Sequence, residues 1–407
     1  MANWKIGRRH IESRSIYRWL YIDFNSFFAS VEQQLDPNLR GKPVAVMSVP
    51  SDATCVIAAS YEAKAFGVKT GVPIYEAKRM CPGLKCVLAR YDSYSEFHEN
   101  ILIEIERHLP ISRVCSIDEV ACELMDNENS ISRATAIAKK IKGGLASNVG
   151  AFVKCSIGIA PNCYLAKIAT DMQKPDGLTF IGLEDLPQKL YQLDLRDLPG
   201  VGANMELKLR KQGICDLRAL CQLDLQQIRK VWGGVLGEKM WYHLQGIHID
   251  EPKTKRSSLS HSRVMAPELR GFAQARMVAT DLALKCTGRL RRENLAASCI
   301  EFLCHMESGE VFDAHRKCNP ASDSFTFLRL LDQMWQEMTN LHLQKKIKKI
   351  AIVLSNFSDY KELQLDLFAK EGDHKHKANR MSFALDAIHK RYGEHSITLG
   401  GVRKSSS

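Results

Sequence analysis

Tyr21-Ile22-Asp23-Phe24-Asn25-Ser26-Phe27-Phe28-Ala29-Ser30-Val31-Glu32 places a carboxylate at the end of an apolar run that begins at Trp19. That run reads as a short buried strand. A second acidic segment follows far along the chain: Cys115-Ser116-Ile117-Asp118-Glu119-Val120, two carboxylates at a turn between apolar stretches. A lone Asp-Glu pair is ordinarily a solvated turn. Here the apolar flanks would bury the charges, and burying unpaired charge is costly. Bound cations would neutralise it. Together Asp23, Asp118 and Glu119 make a hard-oxygen donor set suited to two divalent ions, and such ligands favour Mg²⁺. Two ions a few ångströms apart can activate one oxygen and stabilise another in an in-line phosphoryl displacement. In a basic chain this points to an enzyme acting on nucleic acid.

The chain has 407 residues, too many for one ordinary core, so several domains are expected. At 45% hydrophobic and 25% charged it is globular in composition. Its net charge of +11 suits a polyanionic partner. The 13 cysteines are odd in number and scattered, without a C-x-x-C pair. Reduced thiols in a cytoplasmic protein account for them. Met1 to Arg18 lacks the apolar stretch of a secretory signal. No apolar run approaches a membrane span, so no membrane partner is expected.

The patterning predicts strands at 18–23, 43–47, 55–59, 111–116, 120–124 and 151–160. Helices are predicted at 26–34, 60–66, 74–80, 93–108, 131–146 and 162–172. This alternation indicates an α/β catalytic core. Short helices and glycine turns fill 182–248. A polar, basic linker spans 251–260. Beyond it the order strand 261–266, helix 270–292, strand 295–305, strand 310–317, helix 323–340 and strand 347–355 is a split-βαβ module. The tail, 359–407, is polar, with a helix predicted from Arg380 to Arg391.

Leu198-Pro199-Gly200-Val201-Gly202 before a helix is a helix-hairpin-helix signature. Its glycines, Gly200 and Gly202, let backbone N–H groups approach a DNA phosphate. Such contact positions a duplex without reading its bases. Lys345, Lys346, Lys348 and Lys349 are either a solvated edge that discourages aggregation or, with Lys253, Lys255, Arg256, Arg263, Arg289, Arg291 and Arg292, a surface that tracks phosphates. In the tail, Gln364-Leu365-Asp366-Leu367-Phe368 sets apolar side chains in polar surroundings, which suits a docking peptide for a hydrophobic groove.

Taken together, these segments resemble a Y-family translesion DNA polymerase of the bacterial polymerase IV/V type, over about 18–400. Asp23-Phe24-Asn25-Ser26-Phe27-Phe28 and Ser116-Ile117-Asp118-Glu119 resemble the family's two metal motifs. Ser60-Tyr61-Glu62-Ala63-Lys64-Ala65-Phe66-Gly67 resembles its fingers segment. Ser156 to Ala160, Leu165 to Ala169 and Lys174-Pro175-Asp176-Gly177 resemble the palm segment that ends in a triphosphate-binding lysine. Gln364 to Phe368 is similar to the bacterial sliding-clamp peptide, with Gln364, Leu365, Leu367 and Phe368 as its anchors. Asn25 stands where many members carry Asp, and Lys64 where many carry Arg. Lysine keeps the charge but loses bidentate phosphate contact.

The resemblance implies an α/β multidomain, right-hand-like polymerase. Its palm would be 18–35 and 91–181, its fingers 36–90, its helix-hairpin-helix thumb 182–250 and its little finger 261–358. Residues 1–17 would be a basic N-terminal extension, and 359–407 a tail bearing the clamp peptide 364–368. Asp23, Asp118 and Glu119 would hold two Mg²⁺ ions, with the backbone carbonyl of Phe24. Tyr61, Lys64 and Lys167 would hold the triphosphate, and Phe28 would exclude a ribose 2′-OH. Gly200, Gly202, Lys345, Lys346 and Lys348 would contact DNA. The implied activity is low-fidelity, template-directed addition of dNTPs opposite damaged template in the SOS response. Implied partners are primer-template DNA, dNTP, the sliding clamp and accessory SOS subunits. Two rivals stand beside it: a non-catalytic, clamp-bound scaffold of the same fold, and a helix-hairpin-helix nuclease or glycosylase. Whether the chain is IV-like or V-like stays open at this point.

Overall fold

The computed structural model describes residues 17–250, 256–341, 345–360, 372–393 and 396–397. The chain divides into two compact units, residues 1–252 and 253–407. In the first, β1 (Trp19–Phe24) leads into α1 (Phe27–Leu35), then β2 (Val44–Met47), β3 (Val56–Ala59), α2 (Tyr61–Lys64), α3 (Ile74–Met80), β4 (Lys85–Leu88) and α4 (Tyr91–Glu106). A hairpin of β5 (Arg113–Val114) and β6 (Glu119–Glu123) follows, then α5 (Ile131–Asn148), β7 (Cys155–Ala160), α6 (Cys163–Met172) and β8 (Leu178–Phe180). Helices α7 (Ala203–Arg210), α8 (Leu217–Cys221), α9 (Leu225–Ile228) and α10 (Gly234–Leu244) close the unit.

The main sheet has the order β5-β6-β1-β7-β8. Its central strand, β1, is buried at every position, which is why it reads as a continuous apolar run rather than an alternation. Both neighbours of β1 are antiparallel, and the register sets Asp23 opposite Glu119 on one side and Ser156 on the other. Helix α6 starts where the Asn162 side chain accepts the Leu165 N–H at 2.8 Å. It lies close on β7 because Gly158 has no side chain: a Cβ there would stand 2.1 Å from the Ala166 carbonyl oxygen. That contact brings Lys167 and the helix end up to β1. A small sheet, β3-β2-β4, carries α2 and α3 on a core of its own that includes Val56, Ile74 and Ala77.

The second unit has β9 (Ser258–Val264), α11 (Phe272–Arg292), β10 (Leu295–Met306), β11 (Val311–Ala321), α12 (Ser324–Asn340), β12 (Ile347–Asp359) and α13 (Gly372–Tyr392). The first six follow the expected β-α-β-β-α-β order. The sheet runs β11-β10-β12-β9, antiparallel throughout. Leu282 and Cys286 of α11 and Phe327 and Met334 of α12 share a core with Phe302 and Ile352 of the sheet. On α13, Asp386 takes the buried Arg291 guanidinium at 2.6 and 2.7 Å. Among the described residues no helix is long and apolar enough to cross a membrane.

Four expectations need correction. Ile111 to Ser116 is not a full strand: only Arg113–Val114 pairs, because the following turn carries the acidic pair. Strand β7 starts at Cys155, after a turn at Gly150. Ser258 to Ser260, assigned to the linker, belong to β9, their alternating polar side chains hiding an edge strand. The tail helix begins at Gly372, a little over two turns before Arg380. Strands β4 and β8 had no expectation at all; their runs of four and three residues are too short for a period to register.

Candidate active site

Strand pairing assembles the acidic centre. The Phe24 N–H donates to the Asp118 carbonyl at 2.9 Å, tying the end of β1 to the turn before β6. Asp23 is 6% exposed. One of its oxygens meets the Lys167 ammonium; the other lies 2.8 Å from Lys174. Lys167 also reaches Glu119 Oε1 at 2.5 Å, and Glu119 Oε2 accepts the Tyr21 hydroxyl at 3.1 Å. Lys174 is braced by Asp171 at 2.6 Å. Burial by itself would push the Asp23 carboxyl up. The Lys167 and Lys174 ammonium groups outweigh it and hold Asp23 below the usual carboxylate range. The same pairing raises both lysines against their own burial.

Asp118 differs from its partners. Its carboxylate takes the Ser116 hydroxyl at 2.5 Å rather than an ammonium. The structure thus brings Asp23 and Glu119 together around one lysine and leaves Asp118 turned toward its own loop. Among the described residues, no three acidic, histidine or cysteine groups converge in ligating geometry. The donor set still fits a hard cation. Lys167 holds, between two carboxylate oxygens, the kind of position a divalent ion would compete for.

Tyr61 and Lys64 border this centre on α2, with the Lys64 ammonium 4.5 Å over the Tyr61 ring. Burial lowers the Lys64 pKa, and the Lys174 charge lowers it further. Burial likewise raises Tyr61, which feels Lys174 and Asp23. Phe28 stacks on Tyr94 with centroids 4.4 Å apart. Tyr94 in turn donates to the buried Glu32 at 2.7 Å, and Arg90 clamps the same carboxylate. Phe27 is the core residue of the pair, 3% exposed and edge-on to Phe24.

A cavity of about 440 Å³ lies between Lys167 and Asp171 on α6 and the segment Arg196 to Gly202. Gly200 has φ +89°, a conformation that favours glycine, and a Cβ at Gly200 or Gly202 would meet nothing within 4 Å. The hairpin backbone therefore faces open space at the start of α7, whose cap carries no side-chain hydrogen bond. In the second unit, Lys345 pairs with Glu310 at 2.6 Å. Lys346 and Lys348 are exposed. A register shift between His305 and Met306 sets Lys348 and Lys349 against a single partner position on β10. The peptide Gln364 to Phe368 lies outside the described residues, as do 1–16.

The sequence placed Lys174 in the palm resemblance but named Lys167, not Lys174, for the triphosphate and did not name Asp171, although Lys174 touches Asp23 directly. The signal was the Lys174-Pro175-Asp176-Gly177 turn after α6. Glu32 and Arg90 behind Phe28 had no signal, because their contact joins residues far apart in the chain.

Known proteins resemble the chain along most of its length. The impB/mucB/samB family matches residues 22–171, its C-terminal domain matches 256–367, and a DNA polymerase-iota thumb domain matches 196–248. DNA polymerase IV of Pelotomaculum thermopropionicum is 32% identical, covering 93% of both chains. DNA polymerase IV 1 of Bacillus subtilis is 30% identical over 97% of this chain and 94% of its own. Among solved structures, a Y-family polymerase chimera of Dbh and Dpo4 has a TM-score of 0.72 at 24% identity, covering 83% of this chain and 98% of its own. An insertion ternary complex of Dbh DNA polymerase has a TM-score of 0.58 at 25% identity, with the same coverage. Relatives this similar along almost their full length leave one assignment: the chain belongs to the impB/mucB/samB family, the Y-family of translesion DNA polymerases.

Proposed function

We propose that this polymerase adds dNTPs to a primer 3′ end opposite damaged template, with Asp23, Asp118 and Glu119 as its catalytic carboxylates. The observation that carries the reading is the shared lysine. Two acidic side chains from adjacent strands are held together only by added positive charge. Members of the family depend on a divalent metal. Two Mg²⁺ ions held by these carboxylates and the Phe24 carbonyl would stabilise the attacking and leaving oxygens of the phosphoryl transfer. Lys167 and Lys174 keep the acid groups ionised and lie ready to meet an incoming triphosphate. Tyr61 and Lys64 supply its other side. Position and charge are what phosphoryl transfer asks of a protein.

Primer-template DNA and dNTP are the substrates this reading requires. The Gly200–Gly202 hairpin would hold the backbone of the duplex. Lys346, Lys348 and Lys349 would track phosphates from the second unit. Polymerase affinity for duplex should therefore fall steeply with salt, since each phosphate neutralised releases condensed counterions. Replacing Lys346, Lys348 and Lys349 by Ala should flatten the slope of log K against log salt by about two to three. Titration by fluorescence anisotropy at several salt concentrations measures this; an unchanged slope assigns these lysines to solvated surface. Lys345, already paired with Glu310, should contribute less.

The sliding clamp is the partner proposed for Gln364 to Phe368. Replacing Gln364, Leu367 and Phe368 by Ala should leave distributive synthesis intact and remove clamp stimulation, because a few anchors carry most of a short peptide's affinity. Equal stimulation of variant and wild type in a clamp-loaded extension assay would refute the docking role. The two relatives compared above are named polymerase IV, which favours the IV-like over the V-like reading. Accessory SOS subunits stay a proposal resting on the family. The intact acidic set supports a catalyst, and no observation favours the scaffold. Primer extension by the wild-type chain, with and without Mg²⁺, tests the whole reading.

A further inference from the structure

We propose that Asn25 is a positioning residue for nucleotide capture, acting through the backbone of residues 173–177 to set the Lys174 ammonium beside Asp23. The proposal rests on the polymerase reading and adds a residue to it.

Asn25 stands two residues beyond Asp23 and is 2% exposed. Its own backbone is held on both sides. The N–H donates to the Lys154 carbonyl at 2.8 Å, and the carbonyl accepts the Ser30 hydroxyl at 2.6 Å. The side-chain amide can be oriented in only one way, because its oxygen must accept the Asp176 N–H at 2.8 Å. That turns Nδ2 toward Ser156 Oγ, 3.1 Å away. Ser156 is fully buried. Its hydroxyl accepts the Gly177 N–H at 3.2 Å and donates to the Gln173 carbonyl at 3.2 Å. One amide and one hydroxyl thus satisfy three backbone groups that flank Lys174 on both sides. Gly177 is buried, so its N–H has no recourse to solvent, whereas Gln173 and Asp176 lie at the surface and the two side chains fix how their backbone groups turn.

The segment needs such restraint. Asp176 has φ +58°, an unfavourable region for a residue with a side chain. Lys142 ties the outside of the turn, reaching the Asp176 carbonyl at 2.6 Å and its carboxylate at 2.8 Å. Asn25 ties the inside. Between these anchors Lys174 reaches Asp23 at 2.8 Å and Asp171 at 2.6 Å. Its charge is also felt by Tyr61 and Lys64. The ammonium therefore stands between the acidic centre and the α2 residues, where the phosphates of a nucleotide would lie. A carboxylate at position 25 would keep the acceptor for Asp176. It could not donate to Ser156, whose proton would then leave Gln173 for the new charge.

The test is a double-mutant cycle between Asn25 and Lys174, read as dNTP affinity on a dideoxy-terminated primer-template and as KM and kcat on an extendable one. Asn25→Ala should weaken dNTP binding and raise KM about three- to tenfold, the scale of losing the part-buried Asp176 N–H bond that sets the turn. The kcat at saturation should fall less than about threefold. In a Lys174→Ala background the same substitution should add almost nothing. Asn25→Asp, which keeps the acceptor, should stay within about threefold of wild type. If Asn25→Ala fails to fold by circular dichroism, Ser156→Ala carries the same cycle with a smaller expected effect, about threefold. Equal effects with and without Lys174, or an unchanged dNTP affinity in a folded variant, would overturn the assignment to Asn25. A wild-type chain that extends no primer would instead remove the polymerase reading beneath it.

Discussion

Asp118→Ala loses primer extension by about a thousandfold, the scale on which a single group that stabilises transition-state charge is felt. Its duplex affinity should stay within about twofold, because the proposed DNA contacts lie on other elements. Asp118 is the cleanest of the three carboxylates to remove. Its side chain is bonded to Ser116 on its own loop and holds no lysine. Asp23→Ala should lose as much activity, but it also takes a buried partner from Lys167 and Lys174, which keep only Glu119 and Asp171. Breaking a buried pair by removing one partner costs about 3–5 kcal/mol of stability. Thermal unfolding followed beside single-nucleotide extension separates the two effects. A lower Tm is expected for Asp23→Ala and not for Asp118→Ala. Extension by Asp118→Ala at the wild-type rate would sink the catalytic assignment.

Phe28→Ala raises the ratio of ribonucleotide to deoxynucleotide incorporation by about a hundredfold, the range over which a pocket discriminates one small group. The ring is fixed face to face on Tyr94, and Tyr94 is fixed by Glu32 and Arg90, so Phe28 cannot swing aside to admit a 2′-OH. Rejection is then a clash, relieved by removing the ring. Phe27→Ala should behave differently. Phe27 fills the core beside Phe24, and its truncation should cost about 3–5 kcal/mol of stability while lowering both activities together. Competition between rNTP and dNTP on one template measures the ratio. An unchanged ratio in Phe28→Ala would remove the steric assignment and leave the polymerase standing.

Most of this architecture was legible because its signals are local. The apolar run ending in Asp23 is a strand buried on both faces, and the six elements of the second unit carry clear periodicities. The glycines before α7 announced their turn. What escaped depends on residues distant in sequence. Lys174 and Asp23 meet only because β1 and β7 pair and α6 settles on Gly158. The Ser116 bond that turns Asp118 away is a side-chain choice that no spacing encodes. Asn25 was visible only as a departure from the family pattern. Its role emerges from three backbone groups that come together through folding.

The most direct test is primer extension by the wild-type chain in Mg²⁺ on two templates, one undamaged and one with an abasic site, repeated after chelation. The account predicts added nucleotides on the undamaged template, extension past the abasic site, and loss of both on removing the metal. Failure to pass the lesion while copying the intact template would contradict translesion synthesis by this chain, and extension that survives chelation would contradict the role given to Asp23, Asp118 and Glu119.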